Sequence, residues 1–231
     1  MAAVDFYDRV DLYDRLFDWD PATERDFVIG ASERWGLVRV RRILEPFCGQ
    51  GRLLRAMPGE AVGFDLNRNM LRRAARDCRV FRADAARFSV RAGSFELGYC
   101  LIDSFRHLLT EEAARAHLRC MGIALRTGAV YVLGFELTGD MPAAASAEEW
   151  TVEHEGVEIR GRFSGLGDQD PETRLETARV EIEAGAERID EAFPMRTYAR
   201  EQFQDLIDGE GSFEIVVGFD RSYDLDRAVE L

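Results

Sequence analysis

The sequence predicts an α/β fold in which helices cover both faces of an open, doubly wound and mostly parallel sheet. Short apolar runs, typical of buried strands, alternate with helical segments at intervals of roughly 20 to 30 residues across residues 40–137. The first three of these runs each end on or beside an acidic residue, at Glu45, Asp65 and Asp84. Because the carboxyl ends of parallel strands share one edge of a sheet, we expect these acids to converge on one ligand site.

Length and composition limit the possible classes of protein. The 231 residues, 46% of them hydrophobic, are enough for a single globular domain. No apolar run approaches the ~18 residues of a membrane helix, and the first residues do not resemble a signal peptide, so we expect a cytoplasmic protein. The net charge of −13 makes a nucleic-acid partner unfavourable, because phosphates would be repelled.

The cysteines and histidines predict no metal site. The cysteines lack any Cys-x-x-Cys spacing, and the histidines do not complete a zinc pattern. We therefore expect reduced thiols at Cys48, Cys78, Cys100 and Cys120.

Two helices are predicted before the first strand. Aromatic and aliphatic residues recur at helical spacing in residues 4–18, namely Phe6, Val10, Tyr13 and Phe17. A second helix is expected to begin at Pro21 and to end at Gly36. We interpret residues 1–38 as a helical collar, either packed on the core or closing over a ligand.

The first strand leads into a glycine turn, Glu-Pro-Phe-Cys-Gly-Gln-Gly at residues 45–51, and then into a helix. Glycine allows positive φ and close approach of a ligand to the backbone. A dinucleotide-binding turn requires a third glycine, but Leu54 stands there, and Glu45 would repel a pyrophosphate. The turn suits a ligand that carries ammonium and sulfonium groups, although by itself it is also compatible with a simple turn.

The remaining core elements follow in order. A second strand is predicted at residues 59–65, and Asn67 is placed to cap the helix at residues 68–77. Further strands are predicted at residues 80–84, 94–102 and 129–137, and Thr110 is expected to cap the helix before the last of them.

Beyond residue 139 the pattern changes to period two, as in Val157 and Ile159, which predicts antiparallel strands inserted after strand five. Residues 141–147 are expected to be a linker and residues 165–171 a loop. Residues 198–231 predict a helix and two strands that complete a seven-stranded sheet. We thus expect one domain over residues 1–231, with a collar (1–38), a cofactor-binding core (39–139), an antiparallel insertion (140–197) and a closing segment (198–231).

Residues 40–137 resemble the class I S-adenosylmethionine-dependent methyltransferases, which have a Rossmann-like fold. The resemblance rests on the acidic glycine turn, on Asp65, on the Asp84-Ala85 pair and on residues 95–107. It implies an enzyme with S-adenosylmethionine as cofactor. It assigns cofactor binding to Tyr13, Glu45, Phe47, Cys48, Gly49, Gly51, Asp65, Leu66, Met70, Asp84, Ala85 and Cys100. Pro46 and Phe47 depart from the small residues usual in this turn.

The N-terminal Tyr-Asp repeats and the inserted strands are similar to small-molecule methyltransferases, including those of sugar amines and glycine. This implies methyl transfer to N or O of a small acceptor, and it assigns acceptor binding to Tyr7, Ser104, His107, Arg196 and Tyr198. His107 is the candidate general base, since an ordinary histidine pKa of ~6.5 suits that work; a role as a hydrogen-bonding wall residue stays open.

Three further points stay open at this level. The insertion either lies over the ligand cleft or forms an oligomer contact, as in a homodimer. A non-catalytic S-adenosylmethionine-binding protein is one alternative to the enzyme. An NAD-dependent oxidoreductase is a second alternative, from a different class.

Overall fold

The structure is a computed structural model that describes residues 6–17, 19–138, 147–154, 156–165, 170 and 172–229. Its central sheet contains β1 (Arg42–Pro46), β2 (Glu60–Asp65), β3 (Arg79–Arg82), β4 (Phe95–Cys100) and β5 (Leu125–Leu133). All neighbouring pairs are parallel, in the order β3-β2-β1-β4-β5. The order reverses between β1 and β4, so the switch point where such sheets bind ligands lies at the carboxyl end of β1.

In the part of the chain that the structure describes, six α-helices accompany the strands: α1 (Val10–Leu16), α2 (Ala22–Trp35), α3 (Arg52–Ala56), α4 (Arg68–Ala74), α5 (Glu111–Ala124) and α6 (Arg200–Glu210). The predicted caps are confirmed. The Asn67 side chain accepts hydrogen bonds from the N–H groups of Asn69 and Met70, and that of Thr110 accepts one from Ala113. These side chains satisfy donors that the first helical turn leaves without backbone partners.

The core lies on both faces of the central sheet. Ile43 and Leu44 are neighbours in β1 and therefore point to opposite faces, and both are fully buried. Leu44 packs in a cluster with residues of α5 and α6, whereas Ile43 packs in a cluster with Phe27 and Val28 of α2. Truncation of either side chain to alanine is expected to cost about 2–5 kcal/mol.

The glycine turn and α3 approach β2 closely because β2 carries a glycine. A Cβ added to Gly63 would lie 2.7 Å from Cδ2 of Leu54 and 2.7 Å from Cβ of Cys48. Leu54 occupies the place where a dinucleotide-binding turn has its third glycine. The close packing is therefore supplied from the strand, and the helix can carry a leucine.

The inserted strands form their own antiparallel sheet, which confirms the predicted insertion. The insertion sheet comprises β6 (Ala147–His154), β7 (Val157–Gly165), β8 (Leu175–Ala184) and β9 (Glu187–Arg196), in that spatial order. Its inner face packs on the N-terminal segment (residues 6–17) through an apolar cluster of Phe6, Leu16, Ile159, Val180 and Ile182. The N-terminal segment thus packs against the inner face of the insertion sheet.

The closing segment differs from the prediction. Among the described residues the parallel sheet has five strands, not seven. Residues 213–217 join no ladder, and Gly218–Phe219 (β10) pairs only with Ala228–Val229 (β11) in a separate two-stranded sheet. Phe213 and Ile215 nevertheless pack on the core, so their apolar alternation reflects burial without strand pairing.

Some element boundaries also differ from those predicted. β5 begins at Leu125, so Gly128, with φ 83°, lies inside the strand and does not stop the helix before it. The predicted linker at residues 141–147 and the loop at residues 165–171 lie almost wholly outside the described residues. None of the described helices is both long and apolar enough to cross a membrane.

Candidate active site

The glycine turn bends sharply at the carboxyl end of β1. Phe47, Gly49 and Gly51 have φ of 55°, 52° and 82°. A Cβ on Gly49 would meet no atom within 4 Å, whereas one on Gly51 would crowd the Sγ of Cys78 at 3.1 Å. Gly51 is therefore required by packing, while Gly49 faces open space that a ligand can enter. Cys48, directly before Gly49, is buried against β2.

Asp65 ties the glycine turn to the end of β2. Its Oδ2 accepts the N–H of Gly49 at 3.0 Å, and its Oδ1 accepts the N–H of Asn67 at 2.7 Å. Burial raises the pKa of Asp65, and these two N–H groups oppose the rise. An ionised carboxylate has about four acceptor positions, so lone pairs remain for ligand hydroxyl groups.

Glu45 lies at the start of the turn, near the carboxyl end of β1. Its Oε2 accepts the O–H of Tyr99 at 2.8 Å. Desolvation raises the pKa of Glu45 to about 8, with Asp65 adding to the rise and with Tyr99 and Arg52 opposing it. A carboxyl group in this position gains from a nearby cation. The site therefore fits a ligand with ammonium and sulfonium groups, whose positive charge favours the ionised form of Glu45.

The loop at residues 84–86 follows β3. Asp84 accepts the N–H of Ala86 at 2.9 Å, and this hydrogen bond, with the Arg87 guanidinium, lowers the pKa of Asp84. Ala85 is buried. Leu66, which follows Asp65, is 59% exposed and offers an apolar surface that a planar ring can cover.

Other predicted cofactor residues lie around this edge of the sheet. Met70 is buried in α4, and Cys100 is buried at the end of β4. Burial raises the pKa of Tyr13 to about 12, with Asp65 adding to the rise and Arg52 opposing it. Tyr13 of the N-terminal segment therefore lies beside the charged groups of the glycine turn.

His107 and Tyr7 are in direct contact. Nε2 of His107 lies 3.0 Å from the Tyr7 hydroxyl, and both rings lie within 6 Å of the Phe193 ring of β9. The Tyr7 ring is also 6.0 Å from that of Tyr13, which connects this pair to the glycine turn. A histidine from the segment after β4, a phenol from the N-terminal segment and an aromatic ring from the insertion thus come together.

A sharp turn places His107. Ile102 and Asp103 have φ of 55° and 58°, and the 3-10 helix Ser104–His107 follows them directly. Two successive non-glycine residues in the left-handed region are uncommon, and such strain concentrates at functional sites. Ser104 begins this helix and His107 ends it.

The other two predicted acceptor residues have contacts of their own. The Arg196 guanidinium is buried and donates to the carbonyl groups of Leu109 and Thr173, at 3.1 and 3.0 Å. Tyr198 is fully buried, with its ring 5.7 Å from that of Phe105. The structure brings Tyr7 and His107 into contact. Arg196 and Tyr198 instead contact backbone carbonyl groups and the Phe105 ring.

The sequence reasoning missed a charged cluster at the start of α3. The Arg52 guanidinium lies 4.3 Å from the centre of the Trp19 ring, and Oε1 of Glu24 accepts hydrogen bonds from both side chains at 2.8 Å. These contacts fix the helix that follows Gly51 against the collar. Arginine directly after the second glycine was the only available signal.

Fold and site together define the architecture of class I S-adenosylmethionine-dependent methyltransferases. Residues 43–128 match a family model described as a methyltransferase domain. The match confirms the resemblance to S-adenosylmethionine-dependent methyltransferases that the sequence predicts, and S-adenosylmethionine is the cofactor of that class.

Solved structures share the fold across most of the chain. An S-adenosylmethionine-dependent methyltransferase from Clostridium acetobutylicum ATCC 824 is 18% identical with a TM-score of 0.74, over 96% of this chain and 92% of that one. An amino pentose methyltransferase from Micromonospora echinaspora is 18% identical, with a TM-score of 0.70 and 88% of each chain covered. A sugar N-methyltransferase from Streptoalloteichus sp ATCC 53650 is 20% identical, with a TM-score of 0.68 over 87% and 83%. A comparison with curated protein sequences finds no significant match.

Proposed function

We propose that this protein is an enzyme that transfers the methyl group of S-adenosylmethionine to a nitrogen or oxygen atom of a small molecule. The observation that carries the proposal is the pairing of His107 with Tyr7 beside the cleft that contains Glu45 and Asp65. A protein that only bound the cofactor would not need a histidine in contact with a phenol beside the proposed cofactor site. This pairing favours catalysis over a non-catalytic binding role.

In the proposed site, Asp65 receives the ribose hydroxyls, the loop at residues 84–86 and Leu66 receive adenine, and Glu45 attracts the positively charged end. When bound, S-adenosylmethionine supplies a methyl group that is already activated by the sulfonium. The protein then has to align the acceptor, exclude water and remove a proton. The NAD alternative is disfavoured because the family model that residues 43–128 match describes a methyltransferase domain.

His107 is the candidate general base. A neutral imidazole whose Nε2 accepts the Tyr7 O–H can exchange that partner for an acceptor N–H or O–H at the same position. Tyr7 then serves to orient the ring, and Phe193 and the insertion sheet exclude water. Arg196 and Tyr198 contribute by holding the end of β9 in place.

The acceptor belongs, in this proposal, to the amino sugars and related small amines. Support comes from two neighbours whose descriptions name an amino pentose and a sugar N-methyltransferase. The aromatic surroundings of His107 also suit a ring-shaped acceptor with one polar face.

Release of S-adenosylhomocysteine during incubation with matched amino and hydroxyl sugars tests the proposal. Turnover of an amino sugar, with none for its hydroxyl counterpart, is the expected result. The His107→Gln variant should lower kcat by about 10²–10⁴ while cofactor affinity is retained, which is the range for loss of a general base. Cofactor binding without turnover of any amine or alcohol would leave only the binding role.

A further inference from the structure

A fully buried histidine, His117, lies in α5 behind the cofactor cleft. Its Nδ1 is 2.9 Å from the carbonyl oxygen of Ala85, and its Nε2 is 2.7 Å from the hydroxyl of Tyr131. A carbonyl oxygen only accepts hydrogen bonds, so Nδ1 carries the proton and Nε2 accepts the O–H of Tyr131. Both polar atoms of the ring are therefore satisfied in one defined orientation.

The contacts of His117 reach the segments that surround the cleft. Ala85 belongs to the loop at residues 84–86. The His117 ring lies 5.8 Å from the ring of Phe47 in the glycine turn and 5.7 Å from that of Phe105, in the 3-10 helix after β4. Tyr131 continues the network to Cys100 at the end of β4. The His117 ring thus contacts three segments beside the proposed cofactor site: the loop at residues 84–86, the glycine turn and the 3-10 helix after β4.

Phe47 acquires a physical explanation from this contact. It adopts φ 55°, a conformation that costs a non-glycine residue about 1–2 kcal/mol. The side chain compensates by packing on the core beside His117. The glycine turn is therefore held by an aromatic contact at a position where glycine would make none.

Packing alone does not require a histidine here. Burial lowers the pKa of His117 to about 4, so the ring is neutral at physiological pH, and a leucine would fill the space without a desolvation cost. What the imidazole adds is a directed hydrogen bond to the backbone of the loop at residues 84–86. That hydrogen bond fixes the carbonyl beside Asp84, the residue proposed to contact adenine.

We propose that His117 is a positioning residue for the adenine end of the cofactor site. It holds the loop at residues 84–86 through the Ala85 carbonyl, and it holds the glycine turn through Phe47. This inference rests on the proposed function, because it assumes that adenine binds beside Asp84. It concerns cofactor affinity and not the methyl transfer step.

The test compares His117→Leu with His117→Asn, which keeps a donor near the position of Nδ1. Affinities for S-adenosylhomocysteine and for adenosine alone are measured by calorimetry, together with KM and kcat. We expect His117→Leu to weaken both ligands by the same factor, about tenfold, because the loss lies at the adenine end they share. The KM for S-adenosylmethionine should rise, kcat at saturation should remain, and His117→Asn should recover most of the affinity.

Two further variants keep the test decisive. Tyr131→Phe removes only a hydroxyl group, and it should weaken adenosine binding about two- to threefold if His117→Leu does not fold. Met121→Ala is the packing control, since Met121 is buried one turn further along α5 and its side chain lies over Gly98 of β4. We expect this control to lower stability without changing affinity.

Different outcomes contradict different claims. Unchanged adenosine affinity in folded His117→Leu and Tyr131→Phe would overturn the positioning role. Equal loss of affinity in Met121→Ala would also overturn it, because the effect would then be general to the core. Wild-type protein that binds neither ligand would instead refute the proposed function itself.

Discussion

The glycine turn contains one carboxyl group, that of Glu45, and the pKa of this group is strongly raised. Its pKa of about 8 results from desolvation, which exceeds the stabilising effects of Tyr99 and Arg52. Without ligand, the group is therefore largely protonated at neutral pH. A bound cation favours the ionised form, so cofactor binding and release of this proton are linked.

The first prediction is a pH-dependent cofactor affinity. Only ionised Glu45 attracts the cation, so affinity for S-adenosylmethionine should increase as pH rises from 6 towards 8, by at most about tenfold per pH unit. Calorimetry across this range measures the effect. Glu45→Gln should bind more weakly and show a flat profile, and an equally steep profile in Glu45→Gln would assign the dependence to another group.

The same shift has a consequence for stability. Folding raises the pKa of Glu45 from 4.5 to about 8, so the folded protein holds this proton more tightly than the unfolded chain. The stabilisation is complete below pH 4.5 and is lost as pH rises towards 8. Bound cofactor offsets this loss, so the ligand should stabilise the protein more at pH 8 than at pH 6.

His117 behaves in the opposite sense and supports the second prediction. Its pKa falls from 6.5 to about 4 on folding, so the neutral ring stabilises the fold above pH 6.5, and this contribution is lost as pH falls towards 4. The full effect is at most about 3.5 kcal/mol, at roughly 1.4 kcal/mol per pKa unit. Urea unfolding of wild type and His117→Asn between pH 7 and 4 measures it, and a parallel decline in both proteins would show that His117 is not responsible.

At the scale of elements, the N-terminal segment fastens the central sheet to the insertion sheet. Asp8 accepts hydrogen bonds from the side-chain amides of Asn67 and Asn69, both at 3.0 Å. Towards the insertion, Glu191 of β9 accepts the N–H of Phe6 at 2.5 Å, and Arg9 pairs with Glu187. The segment that carries Tyr7 and Tyr13 is thus bonded to the start of α4 on one side and to β9 on the other.

The third prediction follows from this fastening. Asp8→Ala removes two contacts to α4 and should accelerate cofactor dissociation about fivefold, the effect of roughly 1 kcal/mol. Stopped-flow displacement of S-adenosylhomocysteine measures the rate. Asp11→Ala is the matched control, because Asp11 is in the same segment and makes only a 3.8 Å contact with Arg9. Equal rates in the two variants would show that Asp8 does not hold the segment closed.

The local sequence pattern was sufficient to predict the parallel strands, the helix caps at Asn67 and Thr110, and the inserted antiparallel strands. These depend on periodicity and on hydrogen bonds within a few residues. Residues 213–217 could not be predicted in the same way, because their alternation records burial on the core and not pairing. The place of the first residues of β5 was likewise set by its partner strand β4.

At the scale of the whole molecule, the positions of Glu45, Asp65 and Asp84 at or beside strand ends were predictable, while their roles toward a ligand stay predictions. His117 was not predictable in this way, because its role depends on a carbonyl 32 residues away in the chain. Arg196 was assigned to the acceptor from local resemblance, whereas its guanidinium contacts are set by segments that pack on β9. The sequence thus predicts the positions of residues at the carboxyl edge of the sheet better than the contacts of residues packed behind that edge.

The outer face of the insertion sheet is covered by charge. Cross-strand rows of opposite charge lie on this face: Glu149 with Arg162, Arg162 with Glu181, Arg179 with Asp190, and Arg188 with Glu183. These side chains are all more than a third exposed, so each pair contributes little to stability. A homodimer through this face, as expected from the sequence, would depend on ion pairs and not on apolar burial.

The final prediction is therefore a salt-sensitive homodimer. The screening length shortens from about 10 Å at 0.1 M salt to about 3 Å at 1 M, so ion pairs between copies should weaken strongly. Light scattering after size exclusion should show a dimer at low salt and a monomer at 1 M. Arg162→Glu should abolish the dimer at low salt, whereas Arg34→Glu, a control on the exposed side of α2, should not. A dimer that persists in 1 M salt would place the interface on another surface, and a monomer at every salt concentration would remove the insertion as an interface.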